Sequence, residues 1–158
     1  DFIAWTKNLP LHVRFIEFMP FTGNKWEDEK VFSYAEILER VSSQFSYIKM
    51  QDALNETAKK FKPYNHLGTF AIISTMSAPF CGNCNRMRLT ADGKMKNCLF
   101  SKGEADILGA FRRGEDIVPL IKACLADKAE SLGGQFTSDF EKIDASKLDN
   151  RSMINIGG

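Results

Sequence analysis

Apolar and polar positions alternate along this chain in patterns that predict its elements. Residues 13–19, VRFIEFM, form a short apolar run with few breakers and predict a buried strand, ended by Pro20 and Gly23. Glu17 puts a carboxylate inside that run, where it needs a partner or a ligand because an unpaired buried charge is costly. Ser33 and Glu36 have capping-box spacing and open a helix. Tyr34, Ile37, Leu38, Val41 and Phe45 then recur at helical spacing and give it one apolar face. Residues 45–50 fit a short strand. Residues 52–66 are polar and read as loop, with Pro63 and Asn65 as turn residues. TFAIISTM, residues 69–76, is rich in β-branched side chains and predicts a further strand.

The second half carries a different signal. Met87–Thr90 and Lys94–Leu99 can pair across Asp92-Gly93, the strongest short hairpin dipeptide, which would turn Cys98 back toward Cys84. Helices are expected over about 104–113 and about 116–131, the second with Ile117, Leu120, Ile121, Cys124 and Leu125 on one face. Residues 133–150 are polar and charged and read as a mobile linker before the tail RSMINIGG. No internal repeat or low-complexity tract interrupts the chain.

Composition narrows the classes. With 158 residues, 44% apolar and 26% charged, the chain is long enough for one ordinary domain with a real core. A net charge of +1 gives no global attraction to nucleic acid or anionic lipid, so any anion site must be local. No stretch approaches the ~18 apolar residues of a membrane span, and no signal peptide is recognisable. The chain begins at Asp1 without an initiator methionine, as expected of a mature product or an excised piece.

The candidate chemistry lies in FCGNCNRMRLTADGKMKNCLF, Phe80 to Phe100. Three clustered cysteines, Cys81, Cys84 and Cys98, favour a reducing compartment and a metal site over a disulfide framework. Thiolates are soft ligands that select zinc, copper(I) or an iron–sulfur cluster. Structural zinc needs four protein ligands, and the candidates for the fourth are Cys124, His12 and His66. Cys124 falls on an apolar helix face, where it reads as a small core residue. The two histidines read as solvated loop residues. Without a fourth protein ligand, a [4Fe–4S] cluster with one open iron fits. A thioredoxin-like redox pair is a further alternative, but a hairpin after the C-x-x-C supplies no helix N-terminus to lower a thiol pKa. Arg86 and Arg88 alternate along an expected strand, so both face one way and can grip phosphate.

Those residues carry a family resemblance. The cysteine segment strongly resembles the C-terminal cluster motif of the GTP 3′,8-cyclases, the MoaA family of radical S-adenosylmethionine enzymes that open molybdenum cofactor biosynthesis. RFIEFMPFTGNKW, Arg14 to Trp26, resembles the late barrel strand and following loop of that family in its eukaryotic form. Ile156-Gly157-Gly158 resembles its glycine tail.

The resemblance implies a fold running from α/β to α+β. Residues 1–50 would be the last strand and helix of an incomplete TIM-type barrel, 51–132 a sheet-and-helix cap binding cluster and GTP, and 133–158 a linker and Gly-Gly tail. It implies that Cys81, Cys84 and Cys98 ligate a second [4Fe–4S] cluster whose open iron meets the guanine of GTP. Arg86, Met87 and Arg88 would contact GTP, and Met19 would line the S-adenosylmethionine site. Arg14 and Glu17 match the same strand without an assigned ligand. Gly157 and Gly158 would reach into the active-site cavity. The family's N-terminal C-x3-C-x2-C motif, which holds the S-adenosylmethionine-cleaving cluster, does not occur here, so this chain is expected to be inactive alone. Residues 130–150 also lack the basic, histidine-containing run common in the family.

Implied partners are GTP, the chain's own N-terminal radical barrel, a second copy as a candidate homodimer, and cyclic pyranopterin monophosphate synthase, which acts next. Neither membrane nor nucleic acid is expected. The eukaryotic character implies the mitochondrial matrix, and a bacterial source would imply the cytoplasm. The rival reading is a non-catalytic zinc-binding interaction module with its arginines facing nucleic acid.

Overall fold

The computed structural model describes residues 2–136, 139–144 and 147–156. The chain divides into two units, one formed by Asp1–Met19 and Glu29–Cys84, the other by Pro20–Asp28 and Asn85–Gly158.

The first unit opens with a one-turn helix, α1 (Phe2–Trp5), that the sequence pattern did not predict. It continues through β1 (His12–Ile16), α2 (Tyr34–Ser42), β2 (Tyr47–Lys49), β3 (Lys59–Pro63) and β4 (Thr69–Ile73). The sheet order is β1-β4-β3-β2, with β1 parallel to β4 and the other pairs antiparallel. The chain between the parallel strands contains α2, as a parallel connection requires a crossover. The cap on α2 is the one expected. Glu36 N–H donates to Ser33 Oγ at 3.4 Å, and Ser33 N–H donates to Glu36 Oε2 at 2.8 Å. Strand β4 has a neighbour on each side, so Phe70, Ala71 and Ile72 are completely buried. Ile3, Ile37, Val41, Phe61, Phe70 and Ile72 form the core, with Phe61 and Phe70 stacked at 5.0 Å.

Two expectations are corrected here. The run 13–19 is not a buried strand. Strand β1 is five residues long and sits at the end of the sheet order, with alternate residues exposed and Ile16 at 58% exposure. Residues 52–66 are not all loop, because they contain β3. Three lysines, Lys59, Lys60 and Lys62, hid its alternation. Their long stems can lie along the sheet while Phe61 fills the core.

The second unit contains β5 (Arg88–Leu89), β6 (Lys94–Lys96), β7 (Ala105–Asp106), α3 (Ile107–Arg112) and α4 (Val118–Ala126). Its sheet is antiparallel throughout, in the order β5-β6-β7. The Asp92-Gly93 turn is formed as expected, although its strands are shorter than 87–90 and 94–99. Gly93 has φ +78°, the conformation glycine adopts without strain. Thr90 N–H reaches Lys94 O at 2.8 Å and closes the turn. The helix expected from 104 begins at 107, because Ala105 and Asp106 pair with β6 instead. Asp106 caps it, accepting from Gly109 N–H at 2.9 Å. Helix α4 is shorter than 116–131, and Leu125 is 54% exposed, so its packed face is narrower than the pattern implied.

The run expected as a linker over 133–150 is held at its two ends among the described residues. Asp149 N–H donates to Gln135 Oε1 at 3.0 Å, and Gln135 Nε2 donates back to Asp149 O at 3.1 Å. Leu132 and Ile156, on either side of the run, are each 1% exposed. The fold is thus mixed α/β with two separate sheets, of α+β character, and no closed barrel forms among the described residues.

Candidate metal and anion site

Cys81 and Cys84 share one tight turn. Residues Cys81–Asn83 form a single 3-10 turn, and Cys84 N–H donates to Cys81 O at 3.0 Å. Glu17 fixes the stretch leading into that turn. It is 2% exposed and accepts from the backbone N–H groups of Met76 at 2.7 Å, Ser77 at 3.0 Å and Tyr34 at 2.9 Å, and from the Ser77 hydroxyl. The carboxylate in the apolar run therefore meets its need for a partner inside the protein. Lys59, which sequence reasoning missed, donates to Ser74 Oγ at 2.7 Å and Ala78 O at 3.0 Å, with its ammonium 4.4 Å from the centre of the Tyr34 ring. Burial lowers the Lys59 pKa, and the charge of Glu17 opposes that shift. A lysine in a run that forms the strand beside β4 was the available signal, but it was lost in the loop reading.

Cys98 lies just after β6, in a turn that Ser101 closes by donating its N–H at 3.3 Å and its hydroxyl at 3.0 Å to Cys98 O. Lys96 supports this turn from inside. It is 1% exposed, donates to Ser101 O at 2.5 Å and lies 3.7 Å from Glu104. Burial lowers its pKa, against the charge of Glu104. Arg86 is exposed and precedes β5, whereas Arg88 is half-buried on it and Met87 is half-buried between them. The expected alternation of both arginines along one strand is corrected, since the strand begins only at Arg88. Lys128 donates to Arg86 O at 2.7 Å and to Asn97 O at 2.8 Å, which brings Arg86 to the end of the hairpin where Cys98 lies.

The candidates for a fourth zinc ligand are otherwise engaged. Cys124 Sγ faces Met95 O at 3.7 Å and is half-buried, not in the core as expected, and burial raises its thiol pKa. His12 is on β1, not in a loop, and contacts Thr69 Oγ1 at 2.6 Å. Its pKa is lowered first by burial and then by the charges of Arg14 and Lys60. His66 contacts Thr6 Oγ1 at 2.8 Å and sets its ring edge-on to Phe45. None of the four cysteines is in a disulfide. Among the described residues, no three His, Cys, Asp or Glu side chains are grouped as around one metal ion. Cys81 and Cys84 belong to the first unit and Cys98 to the second. Met19 is half-buried at the end of the first unit's opening stretch. Gly157 and Gly158 lie outside the described residues.

The fold defines a mixed α/β protein in which one unit carries Cys81 and Cys84 on a single turn and the other carries an arginine-bearing hairpin followed by Cys98. The chain belongs to the Molybdenum Cofactor Synthesis C family, whose profile matches residues 11–133. It is 41% identical over 162 residues to "GTP 3′,8-cyclase, mitochondrial" of Arabidopsis thaliana, covering 100% of this chain and 40% of that protein. It is 40% identical over 161 residues to "Molybdenum cofactor biosynthesis protein 1" of Mus musculus, covering 99% of this chain and 24% of that protein. The "GTP 3′,8-cyclase" of Peptoclostridium acidaminophilum is 36% identical over 160 residues, which cover 46% of its length. The chain thus spans less than half of each of these relatives.

Proposed function

We propose that this chain is the C-terminal, [4Fe–4S]- and GTP-binding portion of a radical S-adenosylmethionine GTP 3′,8-cyclase. The complete protein converts GTP to the 3′,8-cyclised nucleotide, a lyase reaction in molybdenum cofactor biosynthesis. The observation that carries the reading is the pair Cys81 and Cys84 on one held turn, with Cys98 just after the hairpin that bears Arg88, in a chain 41% identical to a relative named as a GTP 3′,8-cyclase. Three thiols with Cys124 and both histidines engaged elsewhere suit a cluster that keeps one iron open better than they suit a closed zinc site.

In this reading Cys81, Cys84 and Cys98 hold the cluster, which supplies an open iron for the guanine. Arg86, Met87 and Arg88 bind GTP, with guanidinium forks suited to phosphate oxygens. Met19 lines the S-adenosylmethionine site, and Gly157 and Gly158 reach the cavity. The chain's own contribution is positioning, which can account for much of a rate enhancement. The first unit's sheet would belong to the end of a barrel completed by the rest of the protein. This chain contains no C-x3-C-x2-C motif and would not cleave S-adenosylmethionine alone. The mitochondrial name of the Arabidopsis relative supports a mitochondrial location, and no helix of the described residues is long and apolar enough to cross a membrane.

The test is turnover by the full-length protein under anaerobic reduction with S-adenosylmethionine and GTP. The cyclised nucleotide and 5′-deoxyadenosine should appear together. Intact GTP after incubation with fully reconstituted protein would overturn the reading.

A further inference from the structure

The segment after Asp149 is fastened at successive residues. Asp149 exchanges two hydrogen bonds with the Gln135 amide, as described above. Asn150 donates to Leu99 O at 2.9 Å, and its own carbonyl accepts from Thr22 Oγ1 at 2.5 Å. Arg151 then splits its guanidinium between two carboxylates. One nitrogen lies 2.9 Å from Asp92 Oδ2 and the other 2.5 Å from Glu104 Oε2.

These two carboxylates are not incidental. Asp92 is in the β5–β6 turn, and its Oδ1 accepts from the Thr90 hydroxyl at 2.5 Å. Glu104 adjoins β7 and also faces the buried ammonium of Lys96 at 3.7 Å and Lys94 at 3.8 Å. Glu104 is 13% exposed and Arg151 27%, so solvent screens that pair less than an ordinary surface pair, whereas Asp92 is 47% exposed. A planar fork reaches two separate acceptors, which a single ammonium does with less geometric definition.

We propose that Arg151 is a positioning residue, which clamps the C-terminal segment onto the hairpin that carries Arg88 and leads to Cys98. One ion-pair network then sets both the hairpin turn and the point from which the last seven residues of the chain depart. This rests on the reading above, in which the tail serves the active site.

The experiment uses the full-length enzyme as wild type, Arg151→Ala, Arg151→Lys, and a variant lacking Gly157 and Gly158. Arg151→Ala should lower kcat roughly 10- to 100-fold, the cost of misplacing a group near the chemistry. KM for GTP should rise by a smaller factor than kcat falls, because the clamp reaches substrate only through the hairpin that carries Arg88. Amide hydrogen exchange over 149–156 should speed up, iron content should hold, and Arg151→Lys should recover part of the loss. Unchanged kcat and exchange in Arg151→Ala, beside a slowed glycine-deletion variant, would overturn the clamp and leave the tail reading standing. Unchanged kcat on glycine deletion would remove the tail reading, and faster exchange in Arg151→Ala with lowered kcat would still support the clamp. If Arg151→Ala fails to hold iron, Asp92→Asn, which keeps Glu104 for the arginine, decides by the same two readouts.

Discussion

Glu17 carries a requirement that is written into the sequence itself. A carboxylate inside VRFIEFM has to be satisfied, and three backbone amides and a hydroxyl satisfy it. Its position does not reveal whether ligand or protein supplies the partner, because Met76 and Ser77 are far along the chain. Glu17→Ala should destabilise the protein by about 2–3 kcal/mol, since it leaves buried amides unsatisfied. Denaturant titration measures this, and an unchanged midpoint would mean that the amides find water. The two arginines were expected to alternate along one strand, and that placement was not legible because β5 is only two residues long. Arg88→Ala should weaken GTP binding to the full-length enzyme by about 1–3 kcal/mol, the range for a hydrogen bond to a charged group. Calorimetry with GTP checks it, and unchanged affinity in both Arg86→Ala and Arg88→Ala would make these side chains solvent-facing only.

At the scale of elements, local signals were the readable ones. The Ser33–Glu36 cap and the Asp92-Gly93 turn depend on residues within three or four positions of each other, and both formed as expected. Strand β3 escaped because its pattern was masked by lysines, and the anchored run after 133 escaped because Gln135, Asn150 and Arg151 bind groups distant in sequence. A Cβ on Gly93 would lie 2.2 Å from Leu108 Cβ, at a φ of +78°. Gly93→Ala should therefore cost about 1–3 kcal/mol through strain and overlap, read from the thermal midpoint, and should lower iron content by disturbing the turn before Cys98. Normal iron content with normal stability would show that the hairpin repacks freely. On α4, burial raises the Cys124 thiol pKa, so its reactive thiolate is scarcer near neutral pH. In cluster-free protein Cys124 should be alkylated more slowly than Cys81, Cys84 and Cys98, as peptide mapping would show. Equal or faster labelling would contradict the raised thiol pKa.

Over the whole molecule, the division into two units separates Cys81 and Cys84 from Cys98 along the chain. The α+β character followed from the family resemblance and not from the pattern of apolar positions, and the end of the first unit's sheet at β1 was legible from neither. A strand written for burial looks the same whether its neighbour lies within this chain or in the rest of a longer protein. The central claim is the three-cysteine cluster, and iron analysis of the anaerobically reconstituted full-length protein tests it most directly. Cys81→Ala, Cys84→Ala and Cys98→Ala should each lose one cluster equivalent of iron and sulfide, with the matching fall in visible absorbance, while Cys124→Ala loses none. Undiminished iron in Cys98→Ala, or stoichiometric zinc that disappears in Cys124→Ala, would contradict the account.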